Sequence, residues 1–332
     1  MSAPWRCPRC RGALADAGAG ASTLRCTACG AEYDVVDGIP DLRVPTPAWV
    51  DFDRDKAEAR RLAALGPVSA EALVRDVFGS RPHWTDARIR FRTQQVLEGP
   101  ARAAREIETW LAPAAGSRGA LLEIGCGTGG LLAALPPGRE AIGIDVSLAW
   151  LVVAQRLLAE HGRRVPLAAA VGEALPLADG SAGAIVALDV IEHLADVRPV
   201  LREIDRVAAP GAALAFSTPN RFSLGAEPHV GVWGVGWLPR RLQPAYVKWR
   251  TGEPYTFARL LSAREAIGLV RDHSRFAAAA EAPPIPDEEL ARFGARRAAL
   301  ARIYNALART PGIRRVLVAI GPFFRVTGRK RS

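Results

Sequence analysis

The sequence predicts an α/β chain of the doubly wound, Rossmann-like class, with a small cysteine-rich module ahead of it and a helical extension behind it. Three observations carry this. A glycine-rich turn at 125–129 follows one apolar strand and precedes another that ends in an acid. Two Cys-x-x-Cys pairs lie within the first thirty residues, and the last 42 residues hold eleven Arg or Lys and no Asp or Glu. A chain of 332 residues can bury a full α/β core and still carry a further module.

The first region, 1–45, reads as a zinc ribbon. Cys7-Pro-Arg-Cys10 and Cys26-Thr-Ala-Cys29 are separated by fifteen residues, with Gly12 and Gly30 just beyond each pair. That spacing brings four thiolates to one tetrahedral Zn²⁺, and four protein ligands leave no open coordination position, so the metal's role is structural. Disulfides would suit a secreted chain, and redox pairs would sit on a thioredoxin-like βα unit. The start, Met1-Ser-Ala-Pro-Trp-Arg6, lacks the apolar core of a signal peptide. No apolar run reaches the roughly 18 residues that a membrane span needs, and the chain reads as cytoplasmic. The ribbon, through Ala31 to Arg43, resembles that of the methyltransferase-activating partner family and the ribbon fused ahead of some ribosomal-RNA guanine methyltransferases.

The second region, 46–117, opens on the proline-broken linker Val44-Pro-Thr-Pro-Ala48. A charged, alanine-rich helix is expected over 51–65, and two or three helical pieces over 69–112, with breaks at Pro82 and Pro100. His83, Trp84, Arg88 and Arg92 fall on these helices. They either face the site or form a solvated helix face.

The third region, 118–275, carries the chemistry. Leu121-Leu-Glu-Ile-Gly-Cys-Gly-Thr-Gly-Gly130 is followed by Ala141-Ile-Gly-Ile-Asp-Val146. A strand, a tight glycine turn and a helix N-terminus let backbone N–H groups approach a ligand's anionic group, and Asp145 stands where a carboxylate accepts hydrogen bonds from ribose hydroxyls. This describes a nucleoside site. A dinucleotide fingerprint would place its third glycine three residues after the second, and here the interval is two.

At these residues the chain resembles the class I S-adenosylmethionine (SAM) dependent methyltransferases, whose motif reads E-x-G-x-G-x-G, with Glu123 as its acid. Gly172-Glu-Ala-Leu-Pro-Leu-Ala-Asp-Gly-Ser181 is similar to the family's loop that passes the adenine. Ala184 to Leu194 reads as a buried strand with a polar end, followed by a helix at Val197 to Val207, a turn at Pro210-Gly211 and a strand at Ala212 to Ser217. The resemblance implies the seven-stranded Rossmann-like class I methyltransferase fold with SAM as cofactor. It assigns SAM binding to Glu123, Gly125, Cys126, Gly127, Gly129, Asp145, Val146, Gly172, Glu173 and Asp189. Two positions depart from the pattern. Val171 stands where an acid usually contacts the adenine, leaving Gly172 backbone or Glu173 for that task, and the fourth strand opens with Gly183-Ala184 in place of an acid. Cys126 reads as a small residue packed under the cofactor.

Asp189, Glu192 and His193 close the fourth strand, and their i, i+3, i+4 spacing puts them on one side of a helical turn. Right-handed crossovers would gather the strand ends at 124, 145, 171, 189 and 217 on one edge, where donor and acceptor meet. Here the chain resembles the ubiquinone-biosynthesis O-methyltransferases and the small-RNA 3′-end methyltransferases. In them an acid, a Glu and a His at these spacings bind a divalent cation, and the RNA enzymes add a later histidine, whose place His229 takes. Three readings stay open. A cation such as Mg²⁺ on Asp189, Glu192, His193 and His229 would acidify a hydroxyl, His193 without metal would act as general base, or Glu192 and His193 would only order the loop.

Residues 218–255 are rich in Gly, Pro and Trp, follow a strand end and hold no period for long. They read as a lid insertion over the substrate. Methyltransferases acting on base amines carry Asn/Asp-Pro-Pro-aromatic at the end of strand four, whereas Leu188-Asp-Val-Ile-Glu-His193 favours oxygen as acceptor. Trp233, Trp237, Trp249 and Tyr255 suit a flat or greasy substrate. O-methylation of a small phenolic, polyketide-like or lipid-linked hydroxyl compound is therefore the first expectation. An RNA methyltransferase using ribbon and basic tail is the second, and a catalytically silent binding module the third. In the last region, 276–332, Leu300, Ile303, Tyr304 and Leu307 recur at helical spacing, and 313–324 is apolar with basic flanks. An interfacial helix on anionic lipid, peripheral at a membrane, a nucleic-acid contact, and a packed helix with a solvated arginine face are all open.

Overall fold

The computed structural model describes residues 5–16, 22–44, 51–111, 119–256, 258–285, 287–292 and 294–332. Most of the expected linker, Pro45 to Ala48, lies outside them. The chain divides into two compact units, one holding 1–187 with 202–213 and Ser332, the other 188–201 with 214–331.

In the first unit, β1 (Leu14–Asp16), β2 (Thr23–Cys26), β3 (Glu32–Val36) and β4 (Ile39–Pro40) form an antiparallel sheet in that order. Helices α1 (Phe52–Ala63), α2 (Ala70–Gly79), α3 (Asp86–Leu97) and α4 (Gly99–Leu111) follow. Asp51, Ser69 and Thr85 cap the first three by accepting the N–H of Arg54, Ala72 and Arg88. Pro82 falls between α2 and α3, and Pro100 sits in the first turn of α4, where its missing N–H has no intrahelical partner to lose.

The central sheet is built from β5 (Ala120–Ile124), β6 (Ala141–Asp145), β7 (Leu167–Ala169) and β8 (Ala182–Leu188), with helices α5 (Gly130–Ala134) and α6 (Leu148–Glu160) in the connections. Next come α7 (Val197–Val207) and β9 (Ala208–Pro219), a strand whose first half belongs to the first unit and whose second half belongs to the second. Within the first unit the strand order is β9-β8-β5-β6-β7, and β8-β5-β6-β7 are mutually parallel. Strands buried on both faces need continuous apolar runs, as in Leu121, Leu122 and Ile124 or Ile142 and Ile144. Each fully buried Leu or Ile side chain stabilises the fold by about 1.5–3 kcal/mol. The ribbon is bonded to this body. Leu42 N–H donates to Ala169 O at 2.7 Å, and Arg6 N–H donates to Pro176 O at 2.9 Å.

The second unit contains a 3-10 turn at Ile191–His193, a two-stranded ribbon of β10 (Ala226–Glu227) and β11 (Val232–Trp233), helices α8 (Gln243–Thr251) and α9 (Ala263–His273), and β12 (Phe276–Glu281). Helices α10 (Asp287–Arg292), α11 (Ala295–Ala308) and α12 (Pro311–Ile320) precede β13 (Phe323–Lys330). The sheet order here is β12-β13-β9, with β12 antiparallel to β13 from Phe276↔Lys330 to Glu281↔Arg325.

Two expectations change in detail. The C-terminal extension, expected to be helical over 276–332, holds α10, α11 and α12 but opens on β12 and ends in β13. Phe324 and Val326 are fully buried at period two, a strand signal interleaved with basic residues, one of which, Arg325, binds Glu281 on the paired strand β12 at 2.6 Å. The turn expected at Pro210-Gly211 lies inside β9. The insertion at 218–255 is folded around its own small core of Val232, Val235, Val247 and Tyr255, with pieces too short to carry a visible period.

Candidate functional site

The four ribbon cysteines converge. Their sulfurs lie within 4.8 Å of one another, with Cys7 Sγ 3.7 Å from Cys29 Sγ and Cys10 Sγ 3.4 Å from Cys26 Sγ. A tetrahedral zinc with Zn–S near 2.3 Å separates its sulfurs by about 3.8 Å, so the donor set fits. Tyr33 Oη lies 3.1 Å from Cys7 Sγ, placed to donate to a thiolate, and the Cys29 N–H brings the Cys26 thiol down to about 6. A Cβ on Gly12 would come within 2.8 Å of Ala28 Cβ and 3.0 Å of Cys26 Sγ, so only glycine lets the knuckle close.

The glycine turn of the first unit is shaped by backbone and by Asp145. Gly125, Gly127 and Gly129 all have positive φ, at 72°, 50° and 75°. Gly125 N–H donates to Ile144 O at 2.7 Å. Asp145 accepts Gly127 N–H at Oδ2 (2.7 Å) and Ser147 N–H at Oδ1 (2.8 Å). The residue read as a ribose acceptor thus also holds the turn in place, and each oxygen keeps acceptor capacity for a ligand hydroxyl. Burial pushes the Asp145 carboxyl up, against the pull of those N–H groups. Glu123 is buried, its Oε2 has no hydrogen-bond partner among the described residues, and burial together with the Asp145 charge holds it well above the usual carboxylate range. Burial likewise pushes the Cys126 thiol up, which fits packing and not nucleophilic chemistry. Glu173 lines a polar cavity of about 330 Å³ with Arg11, Glu203 and Arg206, and Val171 is buried.

Sequence reasoning missed the brace behind Val146. Arg43, a fully buried guanidinium, donates to Val146 O at 3.0 Å, to Asp41 at 2.6 and 2.8 Å, and to Asp55 at 2.7 Å. Asp55 in turn accepts Ser147 Oγ–H at 2.7 Å and Leu148 N–H at 2.8 Å. Both residues precede the motif by a long stretch of chain, so no local pattern announces them. His83, Arg88 and Arg92 are exposed, and Trp84 stacks on Phe78 beneath Arg88, as a solvated helix face would have it.

The second unit gathers Glu192, His193 and His229, each offering a ligand atom within 4.8 Å of the others. Asp189 is not in this group. It is exposed, takes a left-handed backbone (φ 53°), and accepts Ser217 Oγ–H at 2.9 Å. The 3-10 turn after β8 tucks Glu192 inward to 1% exposure, where Thr218 Oγ1 donates to its Oε2 at 2.9 Å. Its Oε1 has no hydrogen-bond partner among the described residues. Burial raises this carboxyl to about 7, and the Asp189 charge adds to the rise. Glu227, also buried, accepts His229 Nδ1–H at 2.5 Å and the N–H groups of His229 and Val230, both at 2.9 Å. That bond holds the His229 pKa above its ordinary value and leaves Nε2 as the proton acceptor of the neutral ring. The His193 and His229 rings meet edge to face at 5.0 Å. Thr218 and Glu227 were not assigned roles from sequence, and Tyr255, read there as suiting a flat or greasy substrate, is buried in the insertion's own core, where burial pushes its phenol up. Glu227 stands two residues before His229, and that acid-x-His spacing was the one available signal.

Residues 122–216 match the model of the methyltransferase domain family. The chain is similar to the ubiquinone biosynthesis O-methyltransferase of Azorhizobium caulinodans, 37% identical over 36% of this chain and 49% of the relative. It is also similar to the ajmaline N-methyltransferase of Rauvolfia serpentina, 37% identical over 28% of this chain and 34% of that one. These matches span about half the relatives' length or less. A solved structure, the phosphoethanolamine N-methyltransferase 2 of Haemonchus contortus in complex with S-adenosyl-L-methionine, aligns with TM-score 0.48 at 18% identity over 80% of this chain and 61% of that one. The glycine turn and the acid at the end of β6 lie within residues 122–216, and on that family match the chain is identified as carrying a class I SAM-dependent methyltransferase domain.

Proposed function

We propose that the chain transfers the methyl group of SAM to the oxygen of a small phenolic, polyketide-like or lipid-linked hydroxyl compound. The observation that carries this reading is the carboxylate-oriented His229 beside the buried Glu192, whose ligand atoms lie within 4.8 Å of each other, with burial raising the Glu192 carboxyl to about 7 and the Glu227 bond raising His229. The glycine turn, Glu123 and Asp145 bind the donor. Because the sulfonium methyl is already electrophilic, the protein's task is to align the acceptor and remove its proton. His229 Nε2 takes that proton while the O–CH3 bond forms and the CH3–S bond breaks, releasing S-adenosylhomocysteine. Glu227 stabilises the resulting imidazolium.

Glu192 Oε1, His193 and His229 also suit a divalent cation, which would supply acidification of a coordinated hydroxyl. Chelator separates the two cases. Turnover that survives it, and falls as histidine protonates, supports the metal-free base, whereas turnover abolished by it and restored by Mg²⁺ or Mn²⁺ supports the cation. A second acceptor class, RNA, is favoured by the basic surplus of the last 42 residues. Labelled SAM offered with RNA and with a metabolite and lipid extract in parallel decides between them. Cys7, Cys10, Cys26 and Cys29 are proposed to hold one structural zinc, which elemental analysis should find at about one per chain and which Cys26→Ser should remove.

A further inference from the structure

Ten of the twelve large apolar side chains exposed among the described residues belong to the second unit. Helix α11 is the clearest case. It buries Ala298 and Ala301 and turns Leu300 (67% exposed), Ile303 and Leu307 to the outside, the reverse of an amphipathic helix packed on a core. Helix α12 buries none of its residues and exposes Ile313 and Val316. On the insertion, Leu224, Trp233, Trp237, Leu242 and Trp249 (75% exposed) do the same.

The insertion is tied to the end of α12. Leu224 N–H donates to Ile320 O at the end of α12, and the indole N–H groups of Trp233 and Trp237 donate to Leu224 O and Ser223 O, each at 3.0 Å. Tyr246 Oη–H donates to Trp233 O at 2.9 Å, and its ring lies 6.0 Å from that of Trp249. Trp233 and Trp237 are therefore held with their one polar atom already satisfied and their rings on display, and Trp249 is the most exposed of the three. Arg250 lies over the Trp249 ring, and Arg241 and Lys248 on the insertion and Arg296, Arg297, Arg302, Arg309, Arg314 and Arg315 along α11 and α12 are exposed as well. No Asp or Glu occurs between 228 and 252 or after 290.

We infer that this face docks on an anionic membrane surface, with the tryptophans and the α11 and α12 apolar residues in the interfacial layer and the arginines among the headgroups. Charge decides among occupants. A second copy would set the same basic patch against itself across a two-fold axis, and a nucleic acid would leave Leu300, Ile303 and Val316 without apolar partners, whereas an anionic bilayer satisfies both. No described helix is long and apolar enough to cross a membrane, so the contact is one of lying on the surface.

Co-sedimentation of the full chain with vesicles of equal parts phosphatidylglycerol and phosphatidylcholine tests this without requiring turnover, so its failure leaves the methyl-transfer reading untouched. The chain should pellet with them, far less with pure phosphatidylcholine, and be released by salt. Arg314→Gln and Arg315→Gln should each lower partitioning about fivefold. Trp249→Ala with Ile303→Gln should lower it further at unchanged thermal melting. Equal pelleting with neutral vesicles, no pelleting with either, or partitioning indifferent to these substitutions would overturn the inference. So would self-association or RNA binding that these same substitutions abolish while vesicle binding persists.

Discussion

The donor and acceptor ends of the proposed reaction are held in different ways. Asp145 is fixed by backbone N–H groups of Gly127 and Ser147, within one turn and the residue just past its own strand. His229 is fixed by the Glu227 carboxylate and meets His193, which arrives from a separate strand end. A backbone-built site tolerates change in its side chains and fails when the main chain moves. A side-chain site fails at once when one member is cut. The substitutions below press on that contrast.

The largest effect is expected at the acceptor end. His229→Ala should lower kcat by about 10²–10⁴-fold while SAM affinity, read by calorimetry, stays unchanged. On the donor side, Arg43→Met leaves Asp41 with Lys56 alone and takes the guanidinium from the half-buried Asp55, and denaturant unfolding should show a loss of about 3 kcal/mol, the lower end for a broken buried pair. If stability is intact, the brace behind Val146 is not what holds the donor loop.

The pH dependence sharpens the contrast. Glu192 titrates at about 7 in the folded chain against 4.5 ordinarily, so between those values the folded state keeps a proton that the unfolded state has lost. Stability therefore falls as pH rises through that window, by about 3 kcal/mol from this group. Glu192→Gln should flatten the thermal melting profile between pH 5 and 7, pH limits set at about those two values. His229, held above its ordinary value, contributes stability that is lost as pH rises through its folded pKa, so a residual slope in the Gln variant belongs to it.

Asp145→Ala should weaken SAM binding by about 1–3 kcal/mol, through lost ribose contacts and a loosened Gly127. Unchanged affinity would remove Asp145 from the donor site. The smallest effect is expected at Asp189, which stands outside the Glu192, His193 and His229 group, so Asp189→Asn should keep kcat within about tenfold, roughly 1.4 kcal/mol. A loss as large as that of His229→Ala would restore it to the catalytic set.

This ordering follows what the sequence could reveal. The glycine turn and Asp145 were legible because one strand, one turn and the next strand lie close together in the chain, and the constraint falls on backbone angles that favour glycine. The cysteine pairs were legible for the same reason. Glu192 and His193 stood out by spacing, but that spacing also admitted Asp189, because the 3-10 turn after β8 cannot be read from residue types. Thr218 and Arg43 act through contacts between distant segments, which no local period encodes, whereas Glu227 acts on His229 two residues away and was signalled only by that acid-x-His spacing. The final strand was hidden because basic residues alternate with Phe324 and Val326, so its charge masked its period.

The most direct test of the account is isotope-labelled methyl transfer from SAM into a metabolite and lipid extract, with RNA in parallel, comparing the full chain with its His229→Ala and Asp189→Asn forms. The account predicts label on the oxygen of a hydroxyl compound, made by the wild type and by Asp189→Asn but lost with His229→Ala although that form still binds SAM. Label on nitrogen or in RNA, or undiminished transfer by His229→Ala, would contradict it.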